Sequence, residues 1–292
     1  MRARHIAEYA GLLAVAGVMR ALPRPLALGA GAWIGRIGWW LRIRRRLVLG
    51  NLAQALPGLS AARRRRIAAG AARNFGRTVA EFVRFAGRDR RRVLDFVKLD
   101  GLDALRDALA GGRGAIVVTG HMGSWALYVT ALAASGLPSA LLVGRQHNEK
   151  VDRFILDIPG GAVRFISKGR TAPREVLRCL KEGVAVVMVA DQDAGAQGIV
   201  APFLGRPAST LSLPGAIAAR HGTPLVLMAG HRTGPGGHRV SLRRLEIEEA
   251  SGPEAITARC NEALGGEILA HPDQYFWYHR RWRDRGGGNP AR

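Results

Sequence analysis

From residue 97 onward, short apolar runs rich in β-branched residues alternate with stretches that read as helices. That alternation admits few architectures, and it predicts a mostly parallel central sheet flanked by helices. Strands are predicted at residues 115–119, 139–143, 162–166, 184–190 and 224–228, with a further extended stretch at 239–247 after the glycine-rich turn 230–237. Helices are predicted at residues 102–110, 124–134, 151–156, 172–182, 211–221 and 253–270, and residues 202–205 read as a loop.

The run 115–119 is short, β-branched and sharply bounded, as a strand buried on both faces would be. It ends in Gly120-His121-Met-Gly123-Ser124-Trp125. Two glycines allow a tight turn and close approach to a ligand. His121 thereby stands at the carboxyl edge of a parallel strand, where open α/β sheets bind ligands.

The N-terminal third has a different texture. Residues 1–43 are apolar but interrupted: Glu8 lies in the first run, Arg20, Pro23, Arg24 and Pro25 break it, and the second run carries Arg36 with Trp33, Trp39 and Trp40. A spanning helix wants about 20 consecutive apolar residues. Tryptophans beside arginines suit amphipathic helices lying at headgroup level, with a buried helical hairpin as the alternative. The basic cluster Arg42–Arg46 follows at once and suits anionic headgroups. Residues 44–96 read as a helical subdomain, with a helix from Ala61 to Phe85 capped by Ser60. Residues 97–284 form the α/β core and 285–292 a flexible tail.

A net charge of +22 implies an anionic partner. Nucleic acid is not expected, because the arginines are spread over several helices instead of being interleaved with stacking aromatics. Two cysteines build no disulfide framework. His231 and His238 have no nearby cysteine and no short His–His spacing, so no metal site is expected.

Four ordered blocks carry a resemblance. They are Asn51-Leu52 with Pro57, Gly120-His121-Met-Gly-Ser-Trp125, Asp191-Gln192-Asp193 with Pro202-Phe-Leu-Gly205, and the aromatic tail His271 to Trp282. Together they resemble the late lipid A acyltransferases of the lysophospholipid acyltransferase-like superfamily. The resemblance implies an O-acyltransferase on the cytoplasmic face of the bacterial inner membrane. Its donor would be a fatty acyl thioester of acyl carrier protein or coenzyme A, with no resident cofactor. Its acceptor would be a hydroxyl of lipid A or a related glycolipid, and it would work among anionic lipids.

The family pattern puts an acid five residues after the histidine, and here that residue is Ala126. Two readings follow. Either a carboxylate from the end of the 184–190 strand, Asp191 or else Asp193, partners His121 as general base, or the chain is an attenuated or inactive lipid-binding relative. A phospholipid or another lipid acceptor is a further alternative. Gly120, Ser124, Trp125, Arg145, Arg164 and Asp193 are the candidate substrate-binding residues, the two arginines for phosphate. Ser124 reads as a helix cap before a nucleophile.

Overall fold

The computed structural model describes residues 3–85, 90–159, 161–234, 236–248 and 250–283. The expected tail 285–292 lies outside them. The chain opens with helices α1 (Ala3–Ala21), α2 (Arg24–Trp40), α3 (Arg45–Ala55), α4 (Ala61–Phe85) and the single turn α5 (Val93–Phe96). Strands and helices then alternate: β1 (Val97–Asp100), α6 (Leu102–Ala110), β2 (Ala115–Thr119), α7 (Trp125–Ala134), β3 (Ser139–Val143), α8 (Glu149–Leu156), β4 (Val163–Ser167), α9 (Ala172–Lys181) and β5 (Ala185–Val189). The pair β6 (Ile199–Phe203) and β7 (Arg206–Thr210), α10 (Leu213–His221), β8 (Leu225–Arg232), β9 (His238–Arg244) and α11 (Pro253–Ala270) complete it.

Seven strands form one sheet in the order β1-β9-β8-β2-β5-β3-β4. All neighbours are parallel except β8 and β9, which pair antiparallel across the glycine-rich turn. Every residue of β2 is buried, as its unbroken apolar run requires at the middle of a sheet covered on both faces. Thr119 of β2 lies opposite Val189 of β5. Two residues beyond each strand end, His121 and Asp191 therefore emerge side by side.

Residues 202–205 are not a loop. They sit in the β6–β7 hairpin, where Pro202 faces Pro207 and the turn residues Leu204 and Gly205 both have positive φ. That is the geometry of a two-residue hairpin turn. Proline normally argues against a strand, so the hairpin was hidden.

Helix α4 starts as its sequence predicts, the Ser60 hydroxyl accepting the Arg63 amide. Helices α2 and α4 pack backbone to backbone: a Cβ on Gly35 would lie 2.1 Å from the Ala72 carbonyl, and one on Gly31 2.5 Å from that of Gly76. Val48, Leu52 and Ile67 of α3 and α4 join the same buried cluster as Ile116 and Val118 of β2. Among the described residues no helix is long and apolar enough to cross a membrane.

Candidate active site

The β2–α7 loop delivers His121 and the end of β5 delivers Asp191. The His121 Nδ1 lies 2.7 Å from Asp191 Oδ1, and the other carboxylate oxygen accepts the His121 backbone N–H at 2.8 Å. Two bonds to one carboxylate fix both the ring and the loop that bears it. With Nδ1–H donating, the lone pair is left on Nε2, which has the Gln192 side-chain amide 3.2 Å away.

Asp191 is fully buried, which pushes its carboxyl up. The positive field and hydrogen bonds of His121, with the Arg281 charge, outweigh that and hold it below the usual carboxylate range. The imidazole is partly exposed, at 18% of its side-chain surface, and Trp125 meets it edge-on with ring centroids 4.8 Å apart. It borders a cavity of about 400 Å³ whose walls are apolar, among them Val129, Ile158 and Phe165, with Arg145, Lys168 and Gln192 also lining it. Ala126, the position of the expected acid, lines the same cavity, while Asp191 approaches His121 from just past the end of β5.

The aromatic tail packs against the loop that bears His121. Its Phe276 amide donates to the His121 carbonyl at 2.9 Å, Gln274 accepts the Gly123 amide at 2.9 Å, and Tyr275 forms a bridge with Met122. Asn51 anchors this tail by donating to the carbonyls of Trp277 and His279.

This arrangement, a partly exposed imidazole backed by a buried carboxylate at the rim of an apolar cavity, runs through a chain with recognisable relatives. The model of the bacterial lipid A biosynthesis acyltransferase family matches residues 2–284. The chain belongs to this acyltransferase family. It is 26% identical over 275 residues to the lipid A biosynthesis palmitoleoyltransferase of Escherichia coli K12, covering 92% of this chain and 89% of that protein. Identity to the lauroyltransferase of the same organism is 26% over 282 residues, 93% of this chain and 90% of the relative. The phosphatidylinositol mannoside acyltransferase of Mycolicibacterium smegmatis is 25% identical over 277 residues, 91% and 88% of the two chains.

The other candidate residues of the acyltransferase fall unevenly. Arg145 reaches the cavity, 3.6 Å from Asp152. Arg164 does not: it sits near the start of β4, opposite Ala140, and pairs with Glu182, just past the end of α9. The cavity lies toward the carboxyl ends of these strands, and Lys168, directly after β4, brings a cation to it. Asp193 turns from the imidazole; its amide donates to His279 Nε2 at 2.9 Å and its carboxylate lies 3.4 Å from Arg283. Ser124 precedes α7 but makes no side-chain cap bond; its backbone amide donates to the Tyr128 hydroxyl. Gln192 and Phe276 lay inside recognised motifs without an assigned role. Among the described residues no three His, Cys, Asp or Glu side chains gather to hold a metal.

Gly120 has a packing reason to be glycine. A Cβ there would stand 2.9 Å from Leu264 Cδ2 and 3.3 Å from Asp191 Cγ. Leucine can rotate away, but the carboxylate cannot move without loosening His121. Gly120→Ala is expected to lower kcat about 100-fold through misplacement while the protein still melts cooperatively. Steady-state kinetics beside a melting curve measure both.

A second polar cluster supports the loop from beneath. Glu81 of α4 is wholly buried and bonds Arg232 at 2.7 Å, His238 Nε2 at 2.8 Å and Arg24 at 3.0 Å. Burial alone would raise its carboxyl; these partners pull it to about 2. The chain continues in one direction. Ser124 N–H donates to Tyr128, Tyr128 O–H to His238 Nδ1, and His238 Nε2–H to Glu81, which requires the neutral imidazole that burial favours.

Proposed function

We propose that this chain is a membrane-surface O-acyltransferase. It moves a fatty acyl group from a thioester of acyl carrier protein or coenzyme A to a hydroxyl of lipid A or a related glycolipid. The observation that carries the reading is the 2.7 Å contact between His121 Nδ1 and Asp191, which supplies the carboxylate missing at Ala126 and weighs against the inactive alternative. His121 Nε2 takes the hydroxyl proton as the oxygen attacks the thioester carbonyl. Asp191 stabilises the imidazolium so formed. Collapse of the tetrahedral intermediate breaks the C–S bond, and the departing thiolate takes the proton back. The Gln192 amide lies 3.2 Å from the working nitrogen and is suited to hydrogen-bond the developing oxyanion.

The apolar cavity accommodates the donor chain, and Arg145 and Lys168 give it a cationic lining for the phosphate of an incoming thioester. Attachment to the cytoplasmic face of the bacterial inner membrane rests on the N-terminal helices. Trp33, Ile34, Ile37, Trp40 and Leu41 are all exposed, and Arg36 lies over the rings of Trp33 and Trp40. Apolar side chains with arginines among them suit the interfacial layer of an anionic bilayer.

Mass spectrometry of total lipids from a deletion strain tests the assignment. A glycolipid lighter by one acyl chain is the expected result and names the acceptor. An unchanged lipid profile overturns it.

A further inference from the structure

Transfer between two lipids needs room for two sets of hydrocarbon chains, and the molecule has a second apolar recess near the imidazole. It is a groove of about 580 Å³ between α1, α2, α4 and the aromatic tail, within the usual range of about 300–1,000 Å³ for small-molecule sites. Phe276 joins the two regions: its ring is 6.0 Å from His121 and 5.0 Å from Phe75, and both Phe75 and Phe276 line the groove. Gly31, Gly35, Gly38 and Gly76 line it without side chains, while Val15, Ile34, Ile43 and Val79 border it and stay exposed. Among the described residues Arg44 is its one charged lining residue.

We propose that this groove holds an acyl chain of the glycolipid acceptor while the acceptor hydroxyl reaches His121; the proposal rests on the acyl-transfer reading above. Location decides which lipid takes which recess. Ile34 and Ile43 line the groove and are exposed, and α2, which carries Ile34, also exposes Trp33 and Trp40, a surface a bilayer-resident lipid meets first. The other cavity carries Arg145 and Lys168 in its lining, which suits a phosphate-bearing thioester arriving from water. Arg44 adds a cation for the acidic headgroup of the bilayer lipid.

The test uses the full chain, a fatty acyl thioester and two acceptors: an under-acylated lipid A precursor in mixed micelles and a short-chain, water-soluble analogue of it. Val79 is 40% exposed, so Val79→Trp fills the groove from a tolerant position. KM for the micellar acceptor is expected to rise about tenfold or more, equivalent to about 1.4 kcal/mol. KM for the soluble acceptor and for the thioester should stay put. If the two acceptors respond alike, or neither responds, the groove is not the acceptor site. Should Val79→Trp fail to fold, Gly38→Leu serves, because a Cβ at Gly38 meets only Ile43 Cδ1 at 3.7 Å. A precursor with a diazirine at its chain end should crosslink to peptides of α2 and α4. Crosslinks confined to α7 and β3 would overturn the proposal. A wild-type chain that acylates neither acceptor defeats the acyl-transfer reading, and the crosslinks still decide the groove.

Discussion

Asp191→Asn should lower kcat by about 10³–10⁴-fold with little change in KM for either substrate. The replacement keeps the shape and can still accept the His121 backbone N–H. Its amide group, however, cannot accept from Nδ1–H as a carboxylate does, and it favours the tautomer whose proton sits on Nε2. The nitrogen facing the cavity then has no lone pair for the hydroxyl proton, and the imidazolium loses its counter-charge. In serine proteases the equivalent change costs about 10⁴. Asp193→Asn is the control, since that carboxylate faces Arg283 and not the imidazole. Its rate should stay within several-fold of wild type, and an unchanged rate for Asp191→Asn would remove Asp191 from the mechanism. The same residue sets a pH response. Its carboxyl is held below the ordinary value, so its stabilisation is present above about pH 4 and is lost as pH falls through the lowered native value. Acid unfolding curves of Asp191→Asn should lack that component.

Glu81→Ala is expected to be the most destabilising single change. It leaves the cations of Arg24 and Arg232 and the His238 donor facing a space with no anion. Removing one partner of a buried ion pair costs about 3–5 kcal/mol, a fall in Tm on the order of 10 °C. The damage should reach the site, because the same hydrogen-bonded chain ends on the Ser124 amide three residues from His121. Differential scanning calorimetry gives the first result and kcat of the surviving fold the second. Asp103→Ala, which breaks an exposed pair with Arg106, should shift Tm little. A Glu81 variant that melts like Asp103→Ala would show the cluster to be dispensable.

Both predictions concern contacts of very different legibility. The strand–helix alternation showed where β2 and β5 end, and the rule that parallel strands open at their carboxyl edge put His121 and Asp191 on one side of the sheet. Adjacency of β2 and β5 was the missing step. Chain order interposes β3 and β4, and the observed order β8-β2-β5-β3 follows from crossovers that no local pattern encodes. Arg164 shows the converse error: a cation in the right strand but near the wrong end of it. Lys168, just past β4, obeyed the edge rule that Arg164 broke. The β6–β7 hairpin was concealed by its prolines, which local propensity counts against a strand but a two-stranded ribbon accommodates.

Glu81 was beyond reach altogether. Its helix reads as amphipathic, and an acid among arginines looks solvated until Arg232 and His238 arrive from more than 150 positions away. Periodicity and turn residues, which act over a few positions, thus determined the elements, the buried middle strand and the histidine at its edge. The order of the strands, the contact between Asp191 and His121, and the burial of Glu81 were decided only in three dimensions. Electrostatic pairing and close packing act between side chains that the chain itself holds far apart.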